Sequence, residues 1–383
     1  MKDFISSRVK SVEISGIRKF YNLVSKYPGA ISLTIGQPDF GIPEEAEKGI
    51  IDSIKRGETK YTPNSGIKPL RNEISNYLKS LDIDFKEDEI IVTVGGSEGL
   101  YSSMTAVINP GDYVLIPEIA YPAYENITKI LGGKVIYYKL NEDFSVDIGN
   151  LEEKISKFDP KLLILSFPSN PTGAVLSKDD RDSIYRIIKE KGLLVLSDEI
   201  YASLCFSDFY SVSQNSEIKD NIILVGGFSK MFSMTGLRLG FVAASEYLIS
   251  NILKVHQYNV SCAASIVQYG ALEGLKNSSY FVENMKKEFI ERRDFVYNSL
   301  RDMGLEAIMP EGAFYIFPSI KKFKMSSFDF AFDLLDKKNL AVVPGSAFSE
   351  GGEGYIRISY ASSMKDLKSG MERLNEYINK EIV

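Results

Sequence analysis

Residues 161–201 read KLLILSFPSNPTGAVLSKDDRDSIYRIIKEKGLLVLSDEIY. Two short runs rich in Leu, Ile and Val, KLLILSFP and GLLVLSDE, bracket a polar stretch from Ser177 to Lys191 in which Ile184, Ile187 and Ile188 fall on one side at helical spacing. A strand, a helix with one apolar stripe and a second strand make the unit from which parallel sheets are built. The crossover needs roughly a dozen residues and buries its stripe against the sheet.

The same alternation runs outward in both directions. EIIVTV, DYVLIP, KVIYYKL, NIILVGGF and GFVAAS bring the short apolar runs to seven between about residues 88 and 245, each bounded by Gly, Pro, Asn or Asp. This order predicts an α/β fold, a mainly parallel seven-stranded-type sheet sandwiched by helices. The tail differs: GAFYIFPSI, LAVVPGSAF and GYIRISYA read as strands of a smaller α+β unit, interleaved with helices near Ser327–Lys338 and Met364–Lys380. A helical stretch from Ser279 to Met303 joins the two. The expected division is an N-terminal arm contributing to the small domain over 1–44, a large domain over 45–280 and the small domain over 281–383. No low-complexity linker or internal repeat separates them, so they are expected to pack together.

Composition narrows the chemistry. A chain of 383 residues that is 44% hydrophobic supports sizeable cores. With 45 Lys and Arg against 51 Asp and Glu, its formal charge of -6 gives no broad attraction for nucleic acid or an anionic membrane. The two cysteines, Cys205 and Cys262, lie in no Cys-x-x-Cys or Cys/His cluster and are expected as reduced, buried thiols. The single histidine, His256, would have to serve alone in any Ser-His, Cys-His or multi-histidine metal site, so a packing or hydrogen-bonding role is expected and no metal site. Met1 to Lys10 carries scattered charges without a signal-peptide pattern, and nowhere do about 18 apolar residues run together, which makes the cytoplasm the default compartment.

The segment Gly226–Gly240, GGFSKMFSMTGLRLG, runs from a predicted strand into a small-residue turn bearing Lys230, with Arg238 eight residues later. Ligands of α/β proteins gather at the carboxyl edge of the sheet, where such a turn would sit. Alone, Lys230 reads better as a surface lysine than as a site residue, and the spacing is not that of a nucleotide phosphate loop. The strand before it ends in SDEIY, bringing Asp198 and Tyr201 to the same edge, and the one before that ends in SFPSNPTG, bringing Asn170. Each has a plain alternative as a cap or a turn; an amine, an acid, a phenol and an amide at successive strand ends together point to a site.

These segments, with LTIGQPDF, YTPNSG, GGSEGL, YPAYE and YIRISYA, resemble the class I and II aminotransferases of pyridoxal-phosphate fold type I, over nearly the whole chain. The resemblance implies an aspartate aminotransferase-like fold whose large domain binds pyridoxal 5'-phosphate. It implies that Lys230 holds the cofactor as an imine and then carries the substrate α-proton, and that Asp198 pairs with the pyridine nitrogen. Tyr201 and Asn170 would hydrogen-bond the ring oxygen. Backbone N–H groups of Gly96 and Ser97 at a helix start near Glu98 would meet the phosphate, and Arg238 would clamp it. Tyr121 would lie on the ring, a Tyr-Pro turn being its rival reading, and Tyr61 would reach the phosphate of the other subunit in a homodimer. Arg357 would take the substrate α-carboxylate in two prongs. Gly36 would let the backbone approach the substrate, or simply turn the chain. Many relatives have a phosphate-binding serine three positions before the lysine; here that residue is Gly227, with Ser229 as possible compensation.

ISGIRKF, KVHQYNVSCA, GAFYIFPSIK and VPGSAFS are most similar to the bacterial N-acetyl-diaminopimelate and aromatic aminotransferase subgroup. The implied substrates are an L-amino acid of N-acetyl-diaminopimelate, aromatic or acidic type and a 2-oxo acid such as 2-oxoglutarate, in lysine and diaminopimelate biosynthesis. Arg18 would pair with a distal carboxylate, a solvated helix arginine being the rival reading. A cystathionine or cysteine-S-conjugate β-lyase would share the imine, acid and base. A non-catalytic transcription regulator would need an added DNA-binding segment, which is not expected with the likeness beginning near residue 9, and no Gly-x-Gly-x-x-Gly supports a nicotinamide enzyme.

Overall fold

The computed structural model describes residues 3–382. All seven predicted sheet strands form one seven-stranded sheet, in the spatial order Ile90–Thr93, Gly240–Ala244, Ile222–Gly227, Leu194–Asp198, Leu162–Ser166, Tyr113–Pro117, Lys134–Tyr138. Pairing is parallel throughout except at Gly240–Ala244, which runs against both of its neighbours. Most of these strands are buried on both faces, which is why they read as continuous apolar runs rather than as alternating ones.

Strand residues alternate between two cores. Leu163, Leu165, Val195 and Leu224 point into one, where the helices Lys68–Lys79 and Lys178–Lys191 place Leu70, Ile74, Ile184 and Ile188. Ile164, Leu196, Ile223 and Val225 point into the other, against Leu100 and Met104 of Gly95–Val107 and Ile249 and Ile252 of Glu246–Val260. The crossover helix Lys178–Lys191 shows why the local sequence folds so. Ser177 caps it by accepting from the Asp180 N–H at 3.0 Å, Asp179 and Asp180 lie in its first turn, and Gly192 ends it at φ +62°. Such a cap is worth about 1 kcal/mol.

The tail forms a three-stranded antiparallel sheet in the order Val343–Pro344, Ile356–Ser359, Tyr315–Ile316. Helices Ser279–Asp302, Ser327–Lys338 and Met364–Tyr377 pack Phe289, Phe330, Leu334 and Leu374 with Ile358 in one core. Phe20 and Leu33 join that core, and Ile31–Ser32 pairs in parallel with Leu340–Ala341. No helix among the described residues is long and apolar enough to cross a membrane.

Two expectations need correction. The helix expected to start near Glu98 starts at Gly95, because Glu98 reaches back to accept the Val94 N–H at 3.1 Å and so belongs to the first turn. Cys205 is buried as expected, but Cys262 is half-buried, just past the end of Glu246–Val260; neither is in a disulfide.

Candidate active site

The strands Leu162–Ser166, Leu194–Asp198 and Ile222–Gly227 end side by side, and their following turns carry the polar side chains. Asp198 closes the middle strand. Its Oδ2 accepts from the Tyr124 hydroxyl at 2.6 Å, and Oδ1 accepts from the Ile200 N–H at 3.2 Å. Burial pushes its carboxyl above the usual range, against the pull of these two donors. Tyr124 lies 3.0 Å from Ser166 Oγ as well, tying the acid to the neighbouring strand end.

Lys230 sits in the one-turn helix Phe228–Met231 that follows the next strand. The residue is half-buried, opening into a cavity of about 500 Å³, and its Nζ donates to the Gly36 carbonyl. The Tyr201 and Phe314 rings stand 5.8 and 5.6 Å from the amine. Loss of solvent pushes its pKa down to about 7, and repulsion from Arg357 and Arg238 adds to the shift. A lysine poised there holds a large neutral, nucleophilic fraction near neutrality.

Gly96 and Ser97, in the first turn of Gly95–Val107, line the same cavity with Ser229 and Arg238. Gly95 has φ +74°, and a Cβ there would fall 2.7 Å from Arg238 Nη2, so glycine is needed to seat the guanidinium over the helix start. Arg238 itself takes a left-handed φ of +54° and donates from Nη1 to the Thr235 carbonyl at 2.8 Å. Behind this turn, Glu98 accepts from Ser102 and lies 3.0 Å from Nδ1 of the fully buried His256. The single histidine is thus a hydrogen-bonding residue, as expected, whose partner lies 158 positions away. Gly227 also has a steric cause. A Cβ there would come within 2.9 Å of Ile200 Cδ1 and 3.0 Å of the Gly240 Cα, leaving no space for a serine.

Arg357, from Ile356–Ser359, is buried and has no carboxylate partner among the described residues. Its Nη1 donates to Asn170 Oδ1 at 2.8 Å and its Nη2 to the Thr34 carbonyl at 2.6 Å, while Nε has no partner. The guanidinium stacks on Tyr315 at 4.3 Å and faces Phe348 at 5.1 Å. A buried cation of this kind is built to receive an anion. The Tyr201 hydroxyl lies 2.8 Å from that of Tyr315.

Gly36, Arg18 and Tyr121 line the same cavity. Gly36 is glycine for a reason absent from both expectations: a Cβ would run into the Tyr315 hydroxyl. Arg18 projects from the helix Gly16–Val24, is exposed, and stacks 6.0 Å from Tyr21 with no ion pair among the described residues. Tyr121 meets Tyr124 edge-on at 5.8 Å. Tyr61 alone is not among the cavity residues; it is 89% exposed.

These groups fit pyridoxal phosphate. A flat ring with a basic nitrogen at one edge and a phosphate at another needs an acid, an anion-binding turn and an amine in reach of its aldehyde. Asp198, the Gly96–Ser97 turn under Arg238, and Lys230 supply that donor set around one cavity. Tyr124, Ser166 and Tyr315 are the residues that reading the sequence missed. YPAYE and GAFYIF carry two of them, but a phenol in an apolar run gives no sign that its oxygen meets another site residue.

The profile of the family "Aminotransferase class I and II" matches residues 28–374. The chain is 42% identical to the Bacillus subtilis (strain 168) protein named "Probable N-acetyl-LL-diaminopimelate aminotransferase", covering 100% of this chain and 97% of that one. It is 40% identical to the "Probable aspartate aminotransferase" of Methanocaldococcus jannaschii, over 97% and 99% of the two chains. The crystal structure of the aromatic aminotransferase from Pyrococcus horikoshii OT3 superposes with a TM-score of 0.89 at 37% identity, over 96% and 100%. The aspartate aminotransferase-like fold expected from the sequence is therefore the observed one. The chain belongs to the class I and II aminotransferases, enzymes that use pyridoxal 5'-phosphate to move an amino group between amino acids and 2-oxo acids.

Proposed function

We propose that the enzyme transfers the amino group of an L-amino acid with a distal carboxylate, of the N-acetyl-diaminopimelate type, to or from 2-oxoglutarate, in lysine and diaminopimelate biosynthesis. Arg357 carries the amino-acid part of this reading: a buried guanidinium with a free Nε and, among the described residues, no carboxylate partner opens on the same cavity as Lys230. Bound cofactor supplies the electron sink that makes the substrate α-proton acidic. The chain's own groups do the rest. Arg357 and Asn170 hold the α-carboxylate and so aim the α-hydrogen at Lys230. The Lys230 amine, brought by burial to a pKa of about 7, would be the base that takes the proton from the substrate α-carbon and the acid that returns it. Asp198, held by Tyr124 and the Ile200 N–H, keeps a negative charge against the ring nitrogen. Tyr201 and Asn170 donate to the ring oxygen. Gly96, Ser97, Ser229 and Arg238 bind the phosphate, and Tyr121 covers the ring.

Arg18 is the residue proposed for the distal carboxylate. It has no ion-pair partner among the described residues, and its helix forms one wall of the cavity, seated there because Gly16 packs against Ala347. The relative from B. subtilis named above supports the substrate class. We further propose a homodimer in which Tyr61 serves the partner's phosphate, and the cytoplasm as compartment, consistent with two unpaired thiols. The domain division at 44 and 280 is proposed on the same footing, with the pairing of Ile31–Ser32 to Leu340–Ala341 joining the arm to the small domain.

Mixing holoenzyme with glutamate should bleach the visible cofactor band in a stoichiometric half-reaction, regenerated by 2-oxoglutarate. Pyruvate release from cystathionine without bleaching would overturn transamination in favour of β-elimination. Steady-state comparison of N-acetyl-diaminopimelate, tyrosine, phenylalanine and aspartate tests the substrate class, and comparable kcat/KM across all four would sink it. Arg18→Ala should raise KM for the dicarboxylic substrate by roughly tenfold with kcat little changed, the worth of one exposed charge contact.

A further inference from the structure

Tyr315 lies at the start of Tyr315–Ile316 and pairs in register with Ser359, which places it beside Arg357 on the same small sheet. It is 1% exposed. Its ring is fixed on three sides, by Arg357 at 4.3 Å, Phe314 at 4.7 Å and Tyr201 edge-on at 5.8 Å. Its hydroxyl meets the Tyr201 hydroxyl at 2.8 Å, and Gly36 has no side chain where that hydroxyl lies. Two phenols sharing one hydrogen bond must settle which of them donates. If Tyr201 uses its proton on the cofactor ring oxygen, its own oxygen is left as the acceptor. Arg357 over the Tyr315 face favours the same direction, since a cation beside a phenol makes it the better donor.

We propose that Tyr315 is a positioning residue for the aminotransferase reaction: its hydroxyl donates to the Tyr201 oxygen and thereby orients and strengthens the Tyr201 proton toward the cofactor ring oxygen. Chains of hydrogen bonds polarise one another, so the second phenol makes the first a stronger donor. This rests on the reading that Tyr201 faces the cofactor. The charged and titratable groups facing the pair are Arg357, Lys230, Asp198 and Tyr121.

The experiment titrates the visible absorbance of the holoenzyme with pH in wild type, Tyr315→Phe, Tyr201→Phe and the double variant. Phenylalanine keeps the ring stack on Arg357 and removes only the oxygen. Weaker donation leaves the ring oxygen more basic, so Tyr315→Phe should move the midpoint upward by about half a pH unit. In the Tyr201→Phe background the same change should move it by nothing. An equal shift in both backgrounds overturns the relay through Tyr201. A shift for Tyr201→Phe with none for Tyr315→Phe overturns it too, while leaving Tyr201 on the cofactor. No shift for either removes Tyr201 from the cofactor and the relay with it. Gly36→Ala supplies a second variant. Its Cβ displaces the Tyr315 hydroxyl, and it should shift the midpoint upward in wild type and leave Tyr315→Phe unmoved; a shift of the same size in both would count against the relay.

Discussion

Arg357 Nη1 donates to Asn170 Oδ1 at 2.8 Å, joining a strand of the small C-terminal sheet to the turn after Leu162–Ser166 of the large one. One residue of this pair comes from SNPTG and the other from YIRISYA, 187 positions apart. The contact means that the guanidinium proposed for the substrate carboxylate is aimed by the same amide proposed for the cofactor ring.

Replacing Arg357 by Lys should therefore fail although charge is kept. An ammonium offers no planar fork, cannot hold Asn170 and the Thr34 carbonyl while meeting a carboxylate, and loses the stack on Tyr315. We expect kcat/KM to fall by roughly a hundredfold or more, mostly through KM, with cofactor binding retained. A loss confined to kcat would contradict carboxylate recognition as its role.

Lys230→Ala should abolish turnover and leave the fold intact. It also has a consequence for the cofactor-free protein. The folded-state pKa of about 7 lies below the unfolded value of 10.5, so between these the unfolded chain binds more protons and folding gains stability as pH rises. Below about 7 the buried ammonium costs about 2 kcal/mol, discounted for solvent reaching the amine. Urea unfolding of the cofactor-free pair at pH 6.5 and 9.5 should show the alanine variant gaining more on wild type at the lower pH than at the higher, since the penalty shrinks as pH climbs from about 7 toward 10.5.

Much of this was legible in the chain. Seven strands follow from runs of Val, Ile and Leu because strands buried on both faces need nothing else, and the crossover helix follows from Ser177, the spaced isoleucines and Gly192. Lys230, Asp198 and Asn170 were visible because each stands at or just past the end of such a run, and Arg357, inside Ile356–Ser359, through the family resemblance alone. What stayed hidden depends on distant neighbours. Tyr124 meets Asp198 across 74 positions, Tyr315 meets Tyr201 across 114, and the need for glycine at 36 and 227 comes from atoms of Tyr315, Ile200 and Gly240. No local pattern encodes those approaches.

Glu199, next to Asp198 but turned into the core beneath the sheet, makes a pH signature separable from catalysis. Its Oε1 accepts from Ser197, Ser211 and Ser213 at 2.9, 2.5 and 3.0 Å, while its buried Oε2 has no partner. Burial pushes the carboxyl up to about 7, the three serines opposing. With the folded pKa above the ordinary 4.5, the folded chain binds more protons between these values, so this group's contribution falls as pH rises from about 4.5 to 7. The cost of ionising it is on the order of 3 kcal/mol. Glu199→Gln should flatten stability over that window in urea titrations and be the more stable protein at pH 8; an unchanged slope would assign the ionisation elsewhere.

Tyr61 offers the sharpest test of shared sites. Its side chain is 89% exposed and outside the cavity of its own chain, so a role at the phosphate requires a second copy. Tyr61→Ala should weaken cofactor retention, and Lys230→Ala is inactive. In a mixed dimer the Lys230→Ala subunit still supplies Tyr61 to its partner, whose Lys230 is intact, so one site of two is complete. The other site lacks both. Equal co-expression yields mixed dimers as half of the population, each with one working site, and activity should recover to about a quarter of wild type. Recovery no greater than the Tyr61→Ala homodimers provide would mean that Tyr61 does not serve the partner's site.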